Sequence, residues 1–140
     1  MSRILPDVLP QESTLTLIDR MPFHGLKPEF YALAAGTKSD SDVRMHFPDS
    51  HRVNTIYGEI SNIDLDNQIV SVAQTKVEYN ELIIGLGCED KYHNVRGAKE
   101  YTHSIQTLSK ARETFHSISE LPKGARVGIV GAGLSGIELA

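Results

Sequence analysis

The spacing of apolar residues changes character several times along this chain, and each change marks an element. Residues 4–9 read as the back half of a short helix, broken by Pro6 and Pro10, because proline removes a backbone donor and clashes with the preceding turn. Residues 13–19 alternate at Leu15 and Leu17 and carry the β-branched content of a buried strand, which ends at Asp19. After the loop at 21–25, residues 29–35 predict a helix. Lys27-Pro28 starts it, and Gly36 closes it in the position that favours a left-handed residue. Residues 39–42 predict a second short helix or turn that ends before Phe47-Pro48, with Asp40 and Asp42 as caps.

From residue 54 to 77 the period becomes two. Residues 55–57, 59–64 and 69–72 read as strands of a small antiparallel meander, with Asp66-Asn67 as a hairpin turn. The pattern continues through 76–81 into Leu82-Ile83-Ile84-Gly85-Leu86-Gly87. That run is apolar on both faces, as a central parallel strand covered on both sides requires. Leu108, Ala111, Phe115 and Ile118 then follow the 3–4 spacing of an amphipathic helix over 107–118, which ends before Leu121-Pro122-Lys123-Gly124. A final strand over 125–130 leads into Gly131-Ala132-Gly133-Leu134-Ser135-Gly136 and the first turn of a helix through Ala140. The alternation of strands and helices predicts an α/β fold.

Composition narrows the function. With 40% apolar and 23% charged residues the chain can bury a core, and 140 residues amount to one domain or parts of two. Eighteen acidic against fourteen basic residues, with no basic block, leave nucleic-acid binding without electrostatic support. Neither 82–88 nor 127–134 approaches the roughly 18 residues that span a bilayer, and the first residues hold no signal-peptide core, so a cytoplasmic protein is expected. Cys88 has no second cysteine with which to form a disulfide, a redox pair or a zinc site. At a strand exit it reads as a small packing residue rather than a nucleophile. The six histidines lie at irregular spacing, so no metal site is expected and no catalytic residue is assigned.

The candidate chemistry lies in the last ten residues. Gly131, Gly133 and Gly136 form G-x-G-x-x-G between a strand and a helix start, the context that makes such a match meaningful. Gly131 would permit the tight turn, Gly133 the approach of a pyrophosphate, and Gly136 close helix–strand packing, while N–H groups at the helix start face the anion. Asp19 ends a strand where a dinucleotide site places its ribose ligand, although an acid there also suits a turn cap.

In their order these elements resemble the two-dinucleotide-domain flavoproteins of the pyridine nucleotide-disulphide oxidoreductase superfamily. Within it they are most similar to type II NADH dehydrogenases and their bacilli NADH dehydrogenase-like relatives. Residues 15–20 look like the second strand of the FAD domain, whose terminal acid, matched by Asp19, binds the adenosine ribose. Residues 23–36, with Lys27, are similar to the segment beneath the flavin. Residues 79–87 resemble the family's Y-D-x-L-I-x-A-x-G strand, whose exit at Gly85 and Gly87 lines the FAD. Residues 131–140 match G-x-G-x-x-G-x-E-x-A of the NAD(P)H domain, which sets Glu138 close to the nicotinamide side.

The resemblance implies a partial FAD/NAD(P)-binding Rossmann-like domain of the three-layer ββα kind, carrying the meander at about 54–77. Residues 1–103 would form the partial FAD-binding domain, 104–122 a linker helix, and 123–140 the beginning of the NAD(P)H-binding domain. FAD and NAD(P)H are the implied cofactors. A quinone or other electron acceptor is the implied partner, with peripheral membrane contact only in the complete protein. The family begins with a strand and glycine turn that hold the FAD pyrophosphate, and this chain starts after both. Residues 1–6 resemble the helix that follows that turn, so Met1 reads as an internal methionine. The absence of a Cys-x4-Cys pair argues against the disulfide-reductase branch. Gly85 stands where the family often has alanine, and Arg96 where proline is common. The expectation is an NAD(P)H oxidoreductase present as an inactive fragment. The alternative is a truncated product without catalysis, or a module binding a nucleotide or partner through an exposed sheet edge.

Overall fold

The computed structural model describes residues 8–47 and 49–140. The short helix expected over 4–9 therefore lies, but for its last two residues, outside the described residues. In chain order the elements are β1 (Leu15–Asp19), β2 (His24–Gly25), a 3-10 turn (Lys27–Glu29), α1 (Phe30–Ala34), β3 (Arg44–Met45), β4 (Val53–Tyr57), β5 (Ile60–Asp64), β6 (Ile69–Val72), β7 (Thr75–Glu78), α2 (Ala98–Tyr101), α3 (Leu108–Ser119) and α4 (Leu134–Leu139). They form two compact units. One comprises the chain up to His24 with His46–Gly85, the other Gly25–Met45 with Leu86–Ala140.

In the first unit β1 and β4 form a parallel pair, Leu15 opposite Val53 through Asp19 opposite Tyr57. The Leu15 N–H donates to the Arg52 carbonyl at one end and the Gly58 N–H to the Asp19 carbonyl at the other. Strand β4 was expected in the antiparallel meander, and this pairing corrects that expectation. Alternation fixes which side chains share a face but not which strand supplies the partner, and here β1 captures it. Arg52 secures the entry to β1: its Nη2 donates to the carbonyls of Leu9 (3.1 Å) and Pro10 (2.6 Å).

The meander is the three-stranded sheet β5-β6-β7. Its buried face is the alternate pair Val70 and Val72. The β5–β6 turn is organised by Asp64, whose Oδ1 accepts the Asn67 N–H (3.0 Å) and whose Oδ2 accepts Asn67 Nδ2 (2.8 Å). The carboxylate thus caps the turn, a side-chain substitute for a backbone hydrogen bond three residues on. Those two bonds, the side-chain amide foremost, hold the Asp64 carboxyl below its ordinary value of 3.8.

The second unit is built on helix–helix packing. Helix α1 buries Phe30, Ala32, Leu33 and Ala34, and α3 buries Leu108, Ala111 and Thr114 against it. The alanines let the two backbones approach closely, and Val43 completes this core. Thr107 caps α3, its Oγ1 accepting the Lys110 N–H. The end of α1 follows the sequence pattern, with Gly36 at φ +75°. Asp42 caps its turn as expected, accepting the Ser39 N–H and hydroxyl. Asp40 does not cap: it bridges Arg44 and Arg112, tying the turn to α3. A short helix, α2, lies where the sequence shows no periodic signal, entered through Gly97 at φ +81°.

Two predicted strands do not form ladders. Residues 82–87 and 125–130 have no strand partner among the described residues. A strand apolar on both faces needs neighbours on both edges to be buried. Without them its side chains lie in solvent, as Ile83 does at 75% exposure.

Two outcomes follow from this packing. Ala111 is fully buried between α1 and α3, so Ala111→Leu overfills the contact and lowers unfolding free energy by about 1–3 kcal/mol in urea titration. The Asp64 carboxyl, depressed in the folded state, stabilises the hairpin above the ordinary carboxylate range, and that contribution disappears as pH falls through its folded value. Carbon-13 NMR should therefore show Asp64 titrating below 3.8, and Asp64→Ala should weaken the acid dependence of the melting temperature.

Candidate functional site

The sequence-predicted site residues divide between the two units. Asp19 and Gly85 belong to the first; Lys27, Gly87, Gly131, Gly133, Gly136 and Glu138 belong to the second.

Asp19 is the last residue of β1, half-buried, with its Oδ1 accepting the Met21 N–H at 2.9 Å. The turn-cap geometry is thus realised. A carboxylate offers about four acceptor positions, so capping one N–H leaves capacity to accept a sugar hydroxyl. Gly85 sits in the exposed extended run, where a Cβ would meet nothing within 4 Å.

Lys27 and Gly87 are far apart in sequence and adjacent in space. A Cβ added to Gly87 would strike the Lys27 ammonium, and Gly87 holds φ +81°, a conformation costly for any L side chain. The 3-10 turn that carries Lys27 is fastened by the Leu26 N–H donating to the Val43 carbonyl (2.8 Å). Glu29, two residues on, is engaged by Lys38 Nζ at 2.6 Å. Lys27 thus presents an exposed cation that lies over the Gly87 backbone. Next to Gly87, Cys88 is exposed rather than packed, its thiol donating to Gln106 Oε1 at 3.5 Å. The strand that would have buried it does not form.

The glycine turn has the conformation its motif predicts. Gly131 lies at φ +108°, Gly133 is extended at the N-cap of α4, and the Ile137 N–H donates to the Gly133 carbonyl at 3.0 Å. A Cβ on Gly136 would fall on the Gly131 carbonyl oxygen and 3.6 Å from an Ile129 methyl. The helix thus folds back onto the turn through a contact that only glycine permits. Leading amide groups of a helix have no intrahelical acceptor, so the bare turn presents donors without side-chain obstruction. This cradle fits a dinucleotide pyrophosphate. Glu138 lies within α4, in the helix that starts at this turn.

Among the described residues no group of three or more His, Cys, Asp or Glu side chains could hold a metal ion, and no helix is long and apolar enough to cross a membrane. The Gly87–Lys27 approach is the one feature of the site that spacing does not reveal, since no local pattern links residues so far apart. In Gly136→Ala the added methyl displaces α4 from the turn, so the Ile137 amide should exchange with solvent about tenfold faster by NMR. Gly128→Ala, with open space around it, should leave that rate unchanged.

The family model for pyridine nucleotide-disulphide oxidoreductases matches residues 10–140. The chain is 52% identical over 139 residues to the NADH dehydrogenase-like protein YutJ of Bacillus subtilis, covering 99% of this chain and 39% of that protein. It is 25% identical over 113 residues to the type II NADH:quinone oxidoreductase of Staphylococcus aureus, covering 79% of this chain and 28% of that one. The sulfide:quinone oxidoreductase of Aquifex aeolicus superposes with a TM-score of 0.73 at 28% identity, over 83% of this chain and 28% of that structure. The NDH2 structure from Plasmodium falciparum in complex with NADH does so at 0.64 and 17% identity, over 75% and 24% respectively, a likeness of fold. The chain thus spans less than two fifths of the length of the curated relatives it matches. With its glycine turn formed and nearly its whole length matched, the chain belongs to the pyridine nucleotide-disulphide oxidoreductase family.

Proposed function

We propose that this chain supplies dinucleotide-binding parts of an FAD-dependent NAD(P)H oxidoreductase of the type II NADH dehydrogenase kind, with a quinone or other electron acceptor as partner. The glycine turn is the observation that carries this reading: Gly136 packs against the Gly131 carbonyl with no room for a side chain. The relatives named above, NADH dehydrogenase-like and NADH:quinone oxidoreductase, support it, and the cofactors of the family are FAD and NADH.

In this reading the backbone at Gly131, Gly133 and Gly136 takes the pyrophosphate of NAD(P)H, and Glu138 orients the nicotinamide half. Asp19 accepts the hydroxyls of the FAD adenosine ribose while retaining its bond from the Met21 N–H. Gly85, with open space around it, would line the flavin, and Lys27, whose ammonium lies over Gly87, would provide a positive charge there. When bound, the flavin accepts an electron pair from reduced nicotinamide and delivers it to the acceptor. The chain's share is to hold the pyrophosphate of one cofactor and the ribose of the other.

For this chain on its own, retention of FAD is weak and turnover absent. The support is the exposure of Ile83, Ile84 and Leu86: the segment that would wall the flavin has no strand partner among the described residues to hold it in place. The same exposure supports the second reading, a partner-binding module without catalysis. An absorbance spectrum of the purified chain mixed with FAD, taken before and after desalting, tests the point. The expected result is loss of the flavin bands on desalting and no bleaching with NADH. A sample that stays yellow and is bleached by NADH overturns the inactivity and leaves the oxidoreductase reading in place.

A further inference from the structure

Strands β1 and β4 run parallel, and their last residues, Asp19 and Tyr57, are register partners. Partners in register share a face of the ladder, and neighbouring strands lie about 4.8 Å apart, so the side chains of Asp19 and Tyr57 leave the sheet next to each other. They do so at the carboxyl ends of the pair, where parallel sheets take their ligands. Tyr57 is 54% exposed, whereas Val53, Thr55 and Ile56 of the same strand are half-buried. The half-buried Phe47 ring backs it, with centroids 6.2 Å apart and planes tilted by 36°. All three residues, Asp19, Phe47 and Tyr57, belong to one compact unit.

We propose, on the reading of Asp19 as the FAD ribose ligand, that Tyr57 is the base platform of the same nucleoside site: the adenine lies on the exposed Tyr57 ring while the ribose diol donates to the Asp19 carboxylate. Asp19 Oδ1 accepts the Met21 N–H at 2.9 Å, which leaves acceptor capacity for the diol. Base and diol flank a single sugar ring, so one nucleoside reaches from one strand end to the next. Stacking of a base on an aromatic side chain is worth about tenfold in affinity. Phe47 restricts the Tyr57 ring before the ligand arrives, so less side-chain freedom is lost on binding. The Gly58 N–H, next along the chain, already donates to the Asp19 carbonyl at 3.0 Å, so what Tyr57 adds to the site is the face of its ring.

Adenosine, titrated into the whole chain and followed by amide and aromatic NMR, is the probe. The expected result is saturable movement of the Met21 and Gly58 amides with an upfield shift of the Tyr57 ring protons, at a Kd in the millimolar range. Tyr57→Val keeps the β propensity of the strand, removes the ring and should weaken binding about tenfold. Tyr57→Phe should restore it. Asp19→Asn should also weaken binding, with the Tyr57 ring shift still reached at saturation. Tyr101→Val, which removes a ring 87% exposed in the other unit, should change nothing. Unchanged affinity in Tyr57→Val with loss in Asp19→Asn overturns the platform and leaves the ribose reading standing. Unchanged affinity in Asp19→Asn overturns the ribose reading and the platform with it. Equal loss in Tyr101→Val marks indiscriminate stacking and overturns the platform, as does a chain whose signals adenosine does not move; movement of the Gly131 and Gly133 amides by NADH tests the oxidoreductase reading separately.

Discussion

A peptide group in a strand must hydrogen-bond to a neighbour or to water, and this requirement decides which apolar residues of the protein are inside. Strands β1 and β4 satisfy it in parallel, and β5, β6 and β7 satisfy it in a meander that buries Val70 and Val72. The two runs with the strongest claim to burial by composition, 82–87 and 127–130, have no such neighbour and are among the most exposed parts of the chain. Apolarity alone does not bury a strand; pairing has to come with it. Helices meet the requirement internally, which explains why α1 and α3 hold a compact core while the strand-like runs do not.

That distinction also governs what could be read in advance. Helix α3 is legible because its determinants are local: Leu108 and Ala111 at the expected spacing, and Thr107 positioned to cap. Asp19 at the end of β1 and Gly36 at the end of α1 are legible for the same reason. The glycine turn is legible to the level of single contacts, since Gly131, Gly133 and Gly136 are required by backbone geometry rather than by distant partners. Whether a strand pairs, and with what, is non-local. The alternation of β4 is the same whether it joins the meander or β1, and the apolarity of 82–87 is the same with or without neighbours. Asp40 illustrates this for side chains: its position suggests a cap, yet Arg112, distant in sequence, claims it.

Of the candidate site, the part carried by one stretch of backbone was legible from spacing, whereas Asp19, Lys27 and Gly87 took their roles from a likeness to a family. Lys27 and Gly87 meet in space, and it is the φ of +81° at Gly87 that demands glycine there, since the ammonium of Lys27 is the end of a flexible side chain that can move aside. Glu29, the nearest acid in sequence, is held by Lys38 and does not quench it.

The parallel pairing of β1 with β4 has a consequence for the order of assembly. Antiparallel strands β5, β6 and β7 are joined by short turns, so each pair forms by closing a small loop, on the scale of microseconds. The β1–β4 ladder forms only after residues 20–52 have been gathered into a loop, and the Arg52 bonds to the carbonyls of Leu9 and Pro10 span more than forty residues in the same way. Loop-closure entropy is spent before any of those bonds is made. Within its unit β1, with the carboxylate of Asp19 at its end, therefore carries a larger loop-closure cost than any strand of the meander.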